Sequence, residues 1–190
     1  MIQSHLNLAH HYWNTFLKPG DHVIDATCGN GHDSLALAEM VLTHDCGSVL
    51  CIDLQKEALA ASKEFLKKNL PPLYFKKISY HLGCHSCLPP LHHAPRLITY
   101  NLGYLPGSDK SVMTDASSTL RSIKMALELL CTGGALSITC YSGHKEGELE
   151  EEAVLIFAKS LSKNDYQVCH HRWLNRLKSP SLLLIQKHKN

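Results

Sequence analysis

The amino-acid sequence predicts an α/β fold in one domain over residues 1–190, with a seven-stranded, mostly parallel sheet, helices on both faces and an antiparallel final strand. Two observations lead to this prediction. Apolar runs of strand length alternate with longer segments of helical periodicity along most of the chain, which is typical of parallel sheets covered on both faces. The last two apolar runs are joined by the short basic segment 175–180, which favours a closing antiparallel pair.

Composition limits the kinds of protein that the chain can be. With 44% hydrophobic and 19% charged residues in 190, it is globular rather than disordered. The net charge of +2, with 14 histidines in reserve, permits an RNA partner without indicating one. No signal peptide is visible, and no apolar run reaches the roughly 18 residues that cross a bilayer. We therefore expect a cytoplasmic protein with no membrane partner and no DNA partner.

The first half of the chain contains three predicted helices and three predicted strands. Ser4 can cap the first helix, and the turn at 18–21 ends it. Pro71 and Pro72 close the third helix, whereas Lys76 and Lys77 interrupt the third strand. The predicted order is a helix over 4–17, a strand over 22–26, a helix over 31–43, a strand over 48–53, a helix over 55–70 and a strand over 73–81.

The second half continues the alternation and then ends in two strands. Asp115 or Ser117 can cap its first helix, and Gly133 and Gly134 turn the chain into the fifth strand. The predicted order is a strand over 96–101, a loop over 102–114, a helix ending at 131, a strand over 135–141, a helix over 148–162, and strands over 166–174 and 181–186.

A cofactor turn follows the first strand. The apolar run ends in Asp25, and Gly29 and Gly31 then precede a segment without helix breakers. The glycines let the backbone approach a ligand at positive φ, and the unpaired N–H groups of the next helix suit an anionic group. Asp25 can accept a hydrogen bond from an amine or hydroxyl, or can support the helix. This pattern predicts a nucleotide-like cofactor.

Four polar side chains fall at predicted strand ends. Asp25, Asp53, Asn101 and Tyr141 each end or follow one of the parallel strands. Ligands of such sheets bind at the carboxyl ends of the strands, where the strand order reverses. We therefore expect these four residues around one crevice.

Two classes of cofactor fit the turn. The motif half matches the dinucleotide pattern, with Ser34 in place of its third glycine, and Asp53 follows about 20 residues later as a ribose-binding acid would. S-adenosylmethionine enzymes place an acid at the same point. A nicotinamide enzyme is disfavoured because no substrate domain remains and because Asn101-Leu-Gly-Tyr104 resembles the Asn-Pro-Pro-Tyr element of amino-group methyltransferases. There the asparagine oxygen and the next carbonyls accept hydrogen bonds from the amine, and the aromatic ring stacks on a base.

Three segments resemble the small bacterial "putative rRNA methylase" family. They are Asp25-Ala-Thr-Cys-Gly-Asn-Gly-His-Asp33, Asn101-Leu-Gly-Tyr-Leu-Pro-Gly-Ser-Asp-Lys110 and Tyr141-Ser-Gly-His144. The resemblance covers nearly the whole chain, and its first two motifs are specific. It implies the Rossmann-like class I methyltransferase fold, S-adenosylmethionine as cofactor, a homodimer, and a tRNA substrate. The expected reaction methylates the aminomethyl group of the wobble 2-thiouridine, in the anticodon region.

The expected site residues divide by role. Those expected to bind the cofactor are Asp25, Thr27, Cys28, Gly29, Asn30, Gly31, Asp33, Asp53, Gln55, His85 and Asn101. Those expected to bind the substrate are Tyr104, Lys110, Tyr141, His144 and Lys145. Asn101, Tyr104 and His144 are expected to be catalytic.

Two positions depart from the patterns of related enzymes. Cys84 and His85 stand where methyltransferases often carry an acid that binds the adenine amine. Ser142 stands where some relatives have a histidine, which argues against an essential role for that position.

Methyl transfer from a sulfonium is an in-line displacement, so the protein mainly has to aim a neutral amine. Asn101 can orient that amine but cannot take its proton, which His144 could accept. Tyr104 and Tyr141 could stack on a flipped base. Alternatively, Asn101 and Tyr104 are turn residues and His144 is a solvated loop histidine. Candidate phosphate contacts are Lys110, Arg121, Lys124, Lys145, Arg172, Arg176 and Lys178.

The eight cysteines are most simply free thiols of a cytosolic protein. Cys84 and Cys87 with His92 and His93 have metal-ligand types but lack the spacing of a known zinc module, so we expect no metal. Three functions remain open: an RNA N-methyltransferase acting on tRNA or ribosomal RNA, a nicotinamide oxidoreductase, and a non-catalytic RNA- or nucleotide-binding module.

Overall fold

The structure is a computed structural model that describes residues 4–103, 116–176 and 178–188. A 3₁₀ helix over Pro72–Lys77 supplements its main elements. These are α1 (His5–Phe16), β1 (His22–Asp25), α2 (His32–Val41), β2 (Ser48–Asp53), α3 (Lys56–Asn69), β3 (Ile78–Leu82), β4 (Leu97–Leu102), α4 (Ala116–Leu129), β5 (Ala135–Cys140), α5 (Lys145–Ser160), β6 (Tyr166–His171) and β7 (Ser181–Lys187).

The described strands form one seven-stranded sheet in the order β3-β2-β1-β4-β5-β7-β6. Strands β1 to β5 pair in parallel, and β7 runs antiparallel to both β5 and β6. The predicted sheet is therefore confirmed. The order reverses between β1 and β4, so the carboxyl ends of these strands border the crevice in which ligands of such sheets bind.

Helices cover both faces of the sheet, as predicted. Neighbouring residues of a strand point to opposite faces, so Val23 packs into the core under α1, α2 and α3, whereas Ile24 packs into the core under α4 and α5. Trp13 of α1 is almost fully buried, and its indole N–H donates to Ser137 Oγ at 2.8 Å. This bond fastens α1 to strand β5.

The predicted third strand is wrong over its first half. Residues 73–77 belong to the 3₁₀ helix, in which the Tyr74 N–H donates to the Pro71 carbonyl at 3.0 Å. The two prolines favour this turn because a proline has no N–H for a sheet ladder. The strand is confined to Ile78–Leu82, where it pairs with β2.

The largest of the remaining differences from the predicted boundaries are at the start of α5 and the end of β6. Helix α5 begins at Lys145 rather than near 148, because His144 provides its N-cap. Strand β6 ends at His171, since Ser181 begins its partner β7 and the ladder between the two strands ends at the pair His171 and Leu182. Ser117 lies inside the first turn of α4, and Asp115 lies outside the described residues. In the described part of the chain, no helix is both long enough and apolar enough to span a membrane.

Candidate active site

The glycine turn after β1 is tied to the end of β2 by Asp53. Gly29 has a φ of 50°, and its N–H donates to Asp53 Oδ2 at 2.9 Å. The N–H of Gln55 donates to Asp53 Oδ1 at 2.9 Å. Each carboxylate oxygen has a second lone pair, and Asp53 is only half-buried. It can therefore organise the turn and also accept a hydrogen bond from a ligand hydroxyl.

Gly31 faces α3 rather than open space. Its φ is 87°, and a Cβ at this position would lie 2.7 Å from Ser62 Oγ and 3.0 Å from Ser62 Cα. Glycine is thus required for the close packing of the turn on α3 as well as for its backbone conformation. The sequence assigned Gly31 to the cofactor, but this packing role could not be read from the motif.

Asp25 lies inside the protein, with no exposed surface. Its Oδ2 accepts from Ser34 Oγ at 2.6 Å, and its Oδ1 accepts from the Thr27 N–H at 3.4 Å. Burial raises the pKa of this carboxyl to about 7, with a further contribution from the charge of Asp33. Asp25 therefore connects the turn to the Ser34 side chain of α2. It does not cap this helix, because the N-cap position is Gly31 and no side chain of the described residues caps the helix. Its direct contact with a cofactor stays a prediction.

Asp33 and Asn101 are brought together from the start of α2 and the end of β4. Asn101 Nδ2 donates to Asp33 Oδ2 at 2.8 Å, and the Asn101 backbone N–H donates to Thr27 Oγ1 at 2.7 Å. On the other side of the carboxylate, His10 Nε2 lies 2.8 Å from Asp33 Oδ1. Sequence reasoning placed Asp33 against the cofactor and missed His10, because no local pattern links α1 to this motif.

The amide of Asn101 is held in one orientation. A carboxylate oxygen can only accept, so Nδ2 faces Asp33 and Oδ1 points the other way. Oδ1 is buried and has no hydrogen-bond partner within the described ranges. A buried acceptor without a donor costs about 1–3 kcal/mol. Asn101 Oδ1 is thus an oriented acceptor at the end of β4 that an N–H or O–H group reaching it would satisfy.

Tyr141 closes the crevice on the side of β5. Its hydroxyl lies 3.3 Å from His5 Nε2, and the two rings meet edge to face at 5.5 Å. Burial raises the pKa of Tyr141 to about 12, aided by the charge of Asp33, so the phenol stays protonated. Gly103 has a φ of 139°, and a Cβ there would lie 3.3 Å from Tyr141 Cβ. The residue that follows β4 therefore packs directly on the Tyr141 side chain.

His144 is the N-cap of α5. Its Nδ1 accepts the Gly147 N–H at 3.0 Å, so the neutral ring carries its proton on Nε2. In this tautomer the remaining lone pair is used by the cap, and accepting a substrate proton would break the cap. Its predicted catalytic role remains untested. Lys145, the next residue, is exposed at the first position of the helix.

The remaining cofactor candidates differ in exposure. Asn30 is exposed, whereas Cys28 is buried, and a hydrogen bond with Cys51 together with burial raises the pKa of its thiol. His85 is 3% exposed, and its ring meets Tyr100 edge to face at 5.7 Å. The carbonyl of His85 also accepts from Ser122 Oγ at 2.8 Å, which fastens the loop after β3 to α4.

Some predicted residues lie outside the site or outside the described ranges. Tyr104 and Lys110 belong to residues 104–115, which are not described, so their roles stay predictions. Arg121 donates to Ser117 Oγ at 2.7 Å, and Lys124 lies 5.6 Å from the ring centroid of Phe157. These contacts give two of the candidate phosphate-binding residues a partner on their own helix or on α5.

Within the described ranges, no group of three or more His, Cys, Asp or Glu side chains is placed to hold a metal ion, and this includes the cysteines and histidines between 84 and 93. All eight cysteines lie within those ranges and are free thiols.

The family model described as "Putative rRNA methylase" matches residues 49–187. A relative from Arabidopsis thaliana, "tRNA (mnm(5)s(2)U34)-methyltransferase, chloroplastic", is 37% identical over an alignment of 190 positions, and the alignment covers 96% of this chain and 69% of the relative.

Two solved structures resemble the chain over nearly their full length. A "putative rRNA-methylase" from Clostridium thermocellum has a TM-score of 0.92 at 32% identity and covers 98% of this chain and 99% of its own. A "putative methyltransferase" from Streptococcus mutans in complex with SAH has a TM-score of 0.84 at 33% identity, with coverages of 98% and 99%. These matches confirm the methyltransferase fold, the enzyme class and the S-adenosylmethionine cofactor expected from the sequence. The chain therefore belongs to the "Putative rRNA methylase" family of S-adenosylmethionine-dependent methyltransferases.

Proposed function

We propose that this enzyme transfers a methyl group from S-adenosylmethionine to the amine of 5-aminomethyl-2-thiouridine at the wobble position of tRNA. The observation that carries the proposal is the buried Oδ1 of Asn101, which has no partner in the described residues and is aimed by Asp33. An amine is the kind of group that this oxygen can orient. The name of the Arabidopsis relative supports the choice of nucleotide.

The residues at the ends of β1 and β2 fit S-adenosylmethionine. When bound, the cofactor supplies a methyl group on a positively charged sulfur. Asp53 has free lone pairs beside its two backbone contacts and would accept hydrogen bonds from the ribose hydroxyls. The first N–H groups of α2 would suit the carboxylate of the methionine part. Asp33 and Asp53 together give this side of the crevice a negative character that suits the sulfonium.

On the other side of the crevice, Asn101 and Tyr141 would receive the target. Asn101 Oδ1 would accept an N–H of the neutral amine and turn its lone pair toward the methyl carbon. The amine would take the methyl group from the sulfonium, whose C–S bond would break to leave SAH, and the extra proton of the methylated amine would pass to solvent water. Orientation of this kind can supply several kcal/mol, up to roughly 7–11. Tyr141, and Tyr104 as predicted from the sequence, would stack on the flipped base.

Nucleoside mass spectrometry of tRNA tests this function. Cells that lack the protein should accumulate 5-aminomethyl-2-thiouridine and lose its methylated form, and the purified enzyme should restore the methyl group to that tRNA with S-adenosylmethionine. A normal methylated nucleoside in the deletion strain would contradict the proposal. The alternative is ribosomal RNA, which the family description favours. Loss of a methylated nucleoside from ribosomal RNA alone would select that alternative.

We further propose that the enzyme is a homodimer that acts in the cytoplasm on the anticodon region of tRNA. The family resemblance supports the dimer, and a small domain gains from two copies when it grips a long RNA. Light scattering should give about twice the chain mass of 21.2 kDa. A monomer at micromolar concentration would contradict the dimer. The Arabidopsis relative is named as chloroplastic, so fractionation of cells is the direct test of location.

A further inference from the structure

A second cavity lies beside the predicted target site. It has a volume of about 360 Å³ and is formed between the beginning of α1 and the segment that joins β6 to β7. The side chains that matter for its chemistry are Ser4, His5, Trp173, Asn175, Arg176 and Ser179. None of the described residues that line it is acidic.

Sheet topology places this cavity at the same edge as the active site. Because β7 runs antiparallel to β5, its first residue Ser181 pairs with Cys140, the last residue of β5. The joining segment therefore comes to the carboxyl edge of the parallel strands, next to Tyr141. His5 belongs to the lining of the cavity, and its Nε2 lies 3.3 Å from the Tyr141 hydroxyl. His5 thus lies between the cavity and Tyr141.

The cavity lies away from the cofactor side. In the sheet, β2 and β1, which carry Asp53 and the glycine turn, lie on one side of β4, whereas β5 and β7 lie on the other. If a nucleotide were held at Asn101 with its reacting amine toward the cofactor, the RNA chain that carries it would extend toward the β5 side of β4. That side contains Tyr141, His5 and the cavity.

The lining has the chemistry of a nucleobase site. Trp173 is half-buried, and the guanidinium of Arg176 lies 5.6 Å from its ring centroid. An indole offers a stacking surface to any base, and a guanidinium adds a cation–π contact or a bond to phosphate. Asn175 with the hydroxyls of Ser4 and Ser179 can donate to and accept from base edges. RNA is recognised largely through such unstacked bases.

We propose that this cavity binds a nucleobase of the RNA substrate next to the target nucleotide, with Trp173 and Arg176 as the stacking and charge-bearing groups. The proposal rests on the proposed function, in that it takes RNA as the substrate. It assigns to the β6–β7 segment the recognition of a nucleotide that is not itself methylated. Specificity for the surrounding loop would then come from this cavity, while Asn101 selects the amine.

The test uses the full-length enzyme saturated with SAH and a labelled anticodon stem-loop RNA that carries 5-aminomethyl-2-thiouridine. Affinity is measured by fluorescence anisotropy. Trp173→Ala should weaken RNA binding roughly 5- to 150-fold, the range of a lost base–aromatic stack. Arg176→Ala should also weaken it, whereas Trp173→Phe should retain most of the affinity. Leu174→Ala is the matched control, because Leu174 is 92% exposed in the same segment and does not line the cavity.

A second measurement needs no substitution that could disturb folding. The chain has 2 tryptophans, and Trp13 is 2% exposed, so stacking of a base in the cavity should quench the emission of Trp173. Wild-type enzyme that binds and methylates the RNA without quenching, with unchanged affinity in Trp173→Ala and Arg176→Ala, would overturn the cavity proposal alone. Wild-type enzyme that binds S-adenosylmethionine but neither binds nor methylates RNA would overturn the proposed function together with the cavity.

Discussion

Asp33 Oδ2 accepts a hydrogen bond from Asn101 Nδ2 at 2.8 Å, which joins the start of the second helix to the end of the fourth strand. The same carboxylate reaches His10 through its other oxygen. Asp33, the second residue of α2, therefore orients the Asn101 amide that is proposed to receive the substrate. The start of α2 and the end of β4 are therefore joined by a direct hydrogen bond.

Asp33→Ala should reduce turnover by roughly 10- to 150-fold, because a hydrogen bond to a charged group contributes about 1.5–3 kcal/mol. The amide of Asn101 would be free to rotate and present its NH₂ group to the amine. Steady-state kinetics and calorimetry with S-adenosylmethionine, in parallel, give the result. Asp45→Ala is the control, since its side chain is 84% exposed. A matching loss of cofactor affinity would instead make Asp33 a cofactor contact, as the sequence predicted.

Asn101→Ala should lower kcat by roughly 30- to 1000-fold while cofactor affinity stays nearly intact. The substitution removes an oriented acceptor that acts as the amine attacks, an effect of about 2–4 kcal/mol for comparable preorganised groups. Single-turnover methylation of the modified tRNA measures it. Wild-type turnover would remove Asn101 from the mechanism, and equal loss of turnover and of cofactor binding would show that its contacts with Asp33 and Thr27 are structural.

Asp53→Ala should weaken S-adenosylmethionine and SAH alike by roughly 10- to 150-fold, the effect of one lost charged hydrogen bond. The variant also releases the N–H groups of Gly29 and Gln55, so the turn itself loses support. Calorimetry with both ligands is the measurement, and Glu57→Ala, an exposed acid at the start of α3, is the control. Unchanged affinity would place the ribose elsewhere.

Asp25 should make the ligand-free enzyme less stable as the pH rises from about 4 to about 7. Its folded-state pKa of about 7 lies above the unfolded value of about 3.9, so in this window the folded state binds more protons than the unfolded state. The free energy of unfolding then falls with increasing pH. Asp25→Asn should remove this fall, which urea denaturation at several pH values would reveal as the difference between variant and wild type.

Burial lowers the pKa values of His5 and His170. These histidines make the free energy of unfolding rise with pH, and they do so equally in the wild type and in Asp25→Asn. Only the difference between Asp25→Asn and the wild type therefore reports on Asp25. Parallel stability curves for the two proteins over this window would contradict the assignment.

His144→Asn should retain much of the turnover, and His144→Ala should be less stable by about 0.5–2 kcal/mol. Asparagine is a good N-cap and alanine a poor one, and the imidazole uses Nδ1 to cap α5. Thermal unfolding and turnover of both variants separate the cap from chemistry. A strongly reduced turnover of His144→Asn, with normal stability and a changed pH–rate profile for the residual activity, would establish His144 as the proton acceptor instead.

The sequence alone determined the fold class and the strand ends at which the candidate site residues lie, because both are encoded by local patterns. Apolar runs and helical periodicity specify the elements, and the glycines at 29 and 31 mark a turn whatever surrounds them. Acidic and amide residues at strand ends follow from the same pattern, since parallel strands bring Asp53 and Asn101 to one edge. The third strand is the exception, because the two prolines favour a 3₁₀ helix over the extended form that its composition suggests.

Only the tertiary structure decided how those residues work together. The contacts of Asp33 with Asn101 and His10, of Gly31 with Ser62, and of His5 with Tyr141 join segments far apart in the chain. Such pairs arise from strand order and helix packing, which no local pattern specifies. The cavity beside Trp173 likewise exists because an antiparallel β7 returns its preceding segment to the active-site edge.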